Sequence, residues 1–199
     1  LQIDKRFAYS GGQQFGKTGS YEQIDGTVTF AVVPSVDANK SIVDLDFAPT
    51  DQNGRVIFSS DFSIIKPVDP SRGSNGLLVE LPNRGRRRVV DTLNRSGSEA
   101  SASPNSGDGF LFERGLTVAS IGWQWDVYQS AVLMGLNPPA ADLSKESNVG
   151  QTVVEIRPNK QTTTWLLADR VHKPLRAKDI FVPNAALYIK DFEDDEETV

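Results

Sequence analysis

Two short apolar runs limit what this chain can fold into more than any other feature. The run "NGLLVEL" (75–81) is almost wholly apolar, and "LTVASIGW" (116–123) reads the same way. Alternation is absent from both, as expected of strands buried on both faces. The residues between them begin with a short helical stretch near Val89–Leu93. They end with another, "GFLFERG" (109–115), that stops at Gly115. Buried strand, helical connection and buried strand is the spacing of a parallel βαβ unit. Function is then expected where the strands' C-terminal ends emerge.

The upstream residues read as β-structure. "GTVTFAVVP" (26–34) and "SIVDLDFAP" (41–49) alternate and carry β-branched residues, and Asp44 and Asp46 share a face of the second. "GRVIFSSDFSIIKP" (54–67) follows the turn signal Asn53-Gly54. The Ser-, Gly- and Asn-rich stretch 91–109 reads as a long mobile surface loop. From about residue 131 the chain becomes irregular around Pro138-Pro139. Strands are expected at "TVVEIRP" (152–158), "TTTWLLADR" (162–170) and "AALYIKDF" (185–192), with Trp165 in the core. Six acidic residues in seven, Asp191 to Glu197, read as a solvated end. The expected fold class is therefore α/β and β-rich, with a mixed sheet over 1–130. Residues 131–199 would add short strands to the same domain.

Several function classes lose support here. A net charge of −5 over 199 residues argues against nucleic acid as the main partner. No apolar stretch reaches the roughly 18 residues of a membrane span, and "LQIDKRFAYS" lacks a signal peptide's apolar region. The missing initiator Met suggests a processed or trimmed chain, and the compartment stays unassigned. There is no Cys, no G-x-S-x-G, no phosphate-binding glycine loop and no metal-ligand spacing, so neither a cofactor nor a metal is expected. The lone histidine, His172, reads as a surface or strand-edge residue.

The basic run "LPNRGRRRVV" (81–90) allows three readings. As a nucleic-acid grip, Arg84, Arg86, Arg87 and Arg88 lack interleaved aromatics. As a solvated turn the run is unremarkable. As a loop at the C-terminal end of a buried strand, it could aim backbone N–H groups into an active-site mouth, with Gly85 free to turn. Trp123 and Trp125, two residues apart, share a face in an extended segment. They would cover a core edge or line an aromatic slot.

The segments "FGKTGSYEQIDGTVTFAVVP" (15–34), "NKSIVDLDFAP" (39–49), "GRVIFSSDFSIIKPVDPSRG" (54–73), "LLVELPNRG" (77–85) and "GFLFERGLTVASIGWQWDV" (109–127) resemble, in order, the N-terminal part of a bacterial family of α/β-hydrolase domain-containing proteins. "PNAALYIKDF" (183–192) is similar to that family's next sheet segment. The resemblance implies esterase-like chemistry on a small-molecule carboxylic ester. It implies pocket-lining positions at Asn83, Arg84 and Gly85 in one strand-end loop, and at Gly122, Trp123, Gln124 and Asp126 in the next. In the family the nucleophile, acid and histidine come after such segments. The resemblance thus makes this chain the opening part of a longer enzyme, inactive alone and prone to self-association. The alternative is a non-catalytic ligand- or protein-binding β-rich module.

Overall fold

The computed structural model describes residues 1–97, 101–142, 153–165, 167, 168, 172–174, 186 and 188. Its longest elements are β3 (Gly19–Val32) and β4 (Val56–Pro67), paired antiparallel along their length from Tyr21↔Pro67 to Val32↔Val56. Strand β1 (Gln2–Ala8) adds antiparallel to the outer side of β3. The two-residue β2 (Gln14–Phe15) also pairs with β3. Beyond β4 the sheet continues through β6 (Thr117–Ile121) to β5 (Leu77–Glu80), in the order β1-β3-β4-β6-β5. A two-residue strand, β7 (Leu136–Asn137), caps the far end of β4. The architecture is a β-rich mixed sheet of seven strands with few helices.

Among the described strands only β5 and β6 run parallel, in the register Leu77↔Thr117 to Glu80↔Ser120. They are joined, as the sequence spacing predicts, through two helices, α1 (Val89–Leu93) and α2 (Phe110–Glu113). Cross-strand partners share a face of a sheet, so register identifies what each face carries. Gln23, Ile65, Val118 and Leu78 lie in one row, on the covered face. There Tyr9, Phe15, Tyr21, Val90, Leu111 and Phe112 pack with Ile65 and Val118 into one aromatic-rich core. Ring centroids of Tyr21 and Phe112 are 4.8 Å apart, and the Tyr21 hydroxyl donates to the carbonyls of Phe112 (3.0 Å) and Leu116 (3.1 Å). Gly115, at φ +69, ends α2 where a Cβ would stand 2.7 Å from Ser74 N.

Several expectations fail for identifiable reasons. Residues 41–49 form no strand: Asp44 sits at φ +59 and leads into a 3₁₀ turn, Leu45–Phe47, with Val43 84% exposed. The charged residues alternating with apolar ones there meet solvent, not a neighbour, and Asp44 and Asp46 are both exposed. Strand β5 is not buried on both faces. Leu78 meets the core, but Leu77 and Val79 on the other face are 62% and 56% exposed, because nothing among the described residues covers that face. Residues 153–158 and 162–165 are irregular, and Trp165 is 47% exposed, outside any core. Residues 186 and 188 are not in a strand. The rest of 185–192, and the acidic run to Glu197, lie outside the described residues.

The described part of 91–109 is anchored, contrary to the mobile loop expected there. Asn94 is fully buried, donating to Ser106 O and accepting from Leu111 N (both 2.9 Å), and the Tyr9 hydroxyl donates to Pro104 O (2.6 Å). A Ser- and Gly-rich backbone lies close to its neighbours, and its carbonyls satisfy donors that would otherwise be buried unpaired.

Candidate functional site

The parallel strands end side by side, and both exit loops turn toward each other. Strand β5 delivers Pro82 and then the turn Asn83–Arg86. Arg84 and Gly85 have φ of +54 and +76, and Arg86 N donates back to Asn83 O (3.1 Å). Two successive positive φ values are what a type I′ turn requires. Arginine in the first of these positions is strained, so other contacts must hold it there.

Those contacts run along the whole loop. The Trp123 indole Nε1 donates to Pro82 O (2.9 Å), and Arg84 N donates to the Gln124 side-chain oxygen (2.5 Å). Met134 N donates to Gly85 O (2.9 Å). A Cβ on Gly85 would lie 2.7 Å from Met134 O, so glycine is required for close approach as well as for φ. Glu80, the last residue of β5, accepts from Arg88 N (2.5 Å) and Val89 N (3.0 Å) through one oxygen. Its other oxygen accepts from the Ser120 hydroxyl (2.9 Å). The turn is fixed before any ligand arrives, the condition for a preorganised site.

The second exit loop is held as firmly. Gly122 N donates to Asp61 O (2.9 Å), and its carbonyl accepts from the Ser60 hydroxyl (2.5 Å). A Cβ on Gly122 would stand 2.5 Å from Gly135 O, so the 122–127 loop and the segment leading into β7 touch backbone to backbone. The Asp61 carboxylate accepts from Gly135 N (2.9 Å) and Gln129 Nε2 (3.2 Å). Lys173 N donates to Asp126 O, and His172, half-buried, forms an isolated antiparallel bridge with Val127 outside the named strands.

Of the seven sequence candidates, the structure joins Arg84 to Gln124 directly. Asn83, Gly85 and Trp123 stand in the same loop pair, and Gly122 and Asp126 support it through the backbone. Trp123 and Trp125 are each about half exposed, 51% and 50%, so neither is core. An open polar cleft lies apart from these candidates, lined by Ser10, Asp91, Ser101 and Asn105 among others.

Beneath the turn lies a feature the sequence analysis missed. Lys5, Asp25, Ser63, Ser120 and Glu80 are successive partners across five strands, a polar row on the covered face, with Ser63 and Ser120 buried. Arg87, only 7% exposed, turns inward onto it. Its guanidinium donates to Ser63 Oγ (2.9 Å) and Ser101 O (2.8 Å) and stands 4.0 Å from Asp25. Ser63 donates to Asp25 (2.6 Å), and the buried Gln23 amide donates to Asp25 (2.9 Å) and Ala102 O (2.8 Å). Desolvation pushes the Arg87 pKa below its usual value, opposed by Asp25, Glu80 and Asp91. Arginine nevertheless remains a cation at neutral pH. Arg87 is thus a buried counter-ion tying the turn to the sheet, which removes it from both the nucleic-acid and the solvated-turn readings.

Among the described residues no group of three or more His, Asp or Glu side chains could hold a metal ion, and no helix is long and apolar enough to cross a membrane. The chain matches no family model, no curated protein and no solved structure.

Proposed function

We propose that this chain is the opening part of an α/β-hydrolase-type carboxylic ester hydrolase and supplies one wall of its active-site mouth. The observation that carries the reading is the preorganised turn at the C-terminal end of β5, which aims the Arg84 N–H at the neighbouring exit loop. In an α/β-hydrolase, one donor to the tetrahedral oxyanion comes from the loop after the third sheet strand. That donor acts where negative charge develops on the carbonyl oxygen. An antiparallel pair followed by a parallel pair whose two strands are joined by a helical crossover agrees with such a sheet's beginning. So does β5, which among the described residues has no outer neighbour, where a continuing sheet would add a strand. The nucleophile, general base and acid would come from elsewhere in the same enzyme.

The test is to purify the natural protein from its source cells, measure its intact mass and assay it against p-nitrophenyl butyrate. A mass well above 21.8 kDa, a G-x-S-x-G in the added sequence and ester turnover are expected. A natural protein of 21.8 kDa without turnover would refute the reading. The binding-module alternative draws on one observation: Trp123, Trp125 and Tyr128 stand about half exposed beside a turn bearing Arg84 and Arg86. It requires that the isolated chain be monomeric and melt in one sharp transition.

A further inference from the structure

The contact between Arg84 N and Gln124 is unusual in what each partner is doing. The donor is a backbone N–H fixed by a strained turn with hydrogen bonds on either side of it. The acceptor is the oxygen of a flexible carboxamide that reaches across from the opposite loop (2.5 Å). The backbone of Gln124 is anchored separately, its carbonyl accepting from Leu136 N (2.9 Å). Among the described residues its side-chain nitrogen donates to nothing, so one hydrogen bond holds the carboxamide in place. Rotation of the side chain would uncover the N–H without moving either loop.

We propose that Gln124 is an internal plug, its amide oxygen occupying the position that a carboxyl oxygen of the ligand takes at Arg84 N–H. The inference rests on the reading of this turn as the oxyanion-side wall and deepens it. The ligand is of the carboxylic ester or carboxylate class, and it binds by displacing Gln124. An sp² oxygen bound to carbon is the shared chemistry, which lets one group stand in for the other. Closing the free site costs affinity in proportion to the fraction plugged. A neutral hydrogen bond's net worth sets that fraction, so removing the plug should tighten binding about two- to tenfold.

The experiment follows the Arg84 amide by NMR in the natural protein, selectively labelled with ¹⁵N-arginine, while sodium butyrate is added. The Arg84 resonance should move saturably in the wild type, with half-saturation two- to tenfold lower in Gln124→Ala. In Gln124→Glu a tethered carboxylate replaces the amide, a stronger acceptor for the same N–H, so butyrate affinity at neutral pH should fall below that of the wild type. An Arg84 resonance indifferent to butyrate overturns the proposal, as does equal affinity in wild type and Gln124→Ala. The ester assay on the natural protein is separate. Absent turnover with a butyrate-responsive Arg84 refutes the hydrolase reading and leaves the plug standing. Turnover with an unresponsive Arg84 does the reverse.

Discussion

Replacing Arg87 with methionine removes the only buried cation described beneath the turn while retaining most of the side chain's length. Two hydrogen bonds are lost, to Ser63 Oγ and Ser101 O, and the Asp25 carboxylate loses its nearest buried counter-charge at 4.0 Å. Removing one partner of a buried ion pair costs 3–5 kcal/mol. Here the lower end applies. The Asp25 side chain is a quarter exposed, and it keeps bonds from Ser63 and Gln23. We expect a loss of about 3 kcal/mol, a large share of the 5–15 kcal/mol typical of a folded domain. For a chain of this size it lowers Tm by about 6–12 °C. Arg87→Lys keeps the charge but loses the forked donor, and should cost about half as much. The exposed neighbour serves as control: Arg88→Met should fall within about 0.5 kcal/mol of wild type. Urea denaturation of the three variants gives the comparison. In a double-mutant cycle, Asp25→Asn should cost at least 1 kcal/mol less in the Arg87→Met background than in wild type. If Arg87→Met is no more destabilising than Arg88→Met, the buried counter-ion account is wrong.

Gly85→Val places a β-branched side chain at φ +76 and a Cβ 2.7 Å from Met134 O. It should cost about 3 kcal/mol by strain and overpacking together. In the natural protein it should also cut ester turnover at least tenfold, and full turnover in a folded variant would exclude the turn from catalysis. The Asp51 carboxyl is held down to about 2, first by the Arg55 side-chain hydrogen bond and then by backbone N–H donors. Its stabilising contribution is therefore present above the ordinary carboxylate range and lost as pH falls toward 2. An NMR titration of Asp51 should show this midpoint, and Arg55→Ala should move it toward the normal value. Desolvation pushes the Tyr21 hydroxyl up to about 12 and raises that of Tyr9 further. The neutral phenols stabilise the fold fully below pH 10, and this is lost as pH rises toward 12. Stability measured by urea should fall from about pH 10 upward, and Tyr21→Phe should blunt the fall.

The parallel pair and its two helices are legible in the sequence because they rest on local signals: apolar runs, a helix ended by glycine, a glycine after a strand. The long antiparallel pair is only half legible. Strand β3 begins at Gly19, but its first half, "GSYEQID", looks polar because Gln23 and Asp25 face a buried counter-ion instead of solvent. Four arginines in five positions read alike, and no local pattern separates Arg87, which turns inward, from Arg88, which does not. Residues 41–49 mislead in the opposite direction. Their alternation is that of a strand, yet among the described residues no partner strand stands beside them. At the site, Gly85 and Gly122 carry a readable signal. Glu80 carries only a weak one, a single charge closing an apolar run. Asp61 and Gly135 become neighbours of the loops only through tertiary contact.

The central claim is that the turn at Asn83–Arg86 is one wall of an ester-hydrolysing site. The most direct measurement compares p-nitrophenyl butyrate turnover by the natural protein with that of its Gly85→Val variant, each checked for folding by its thermal transition. The account predicts turnover in the first and at least a tenfold loss in a folded second. Equal turnover in both, or none in the folded natural protein, would contradict it.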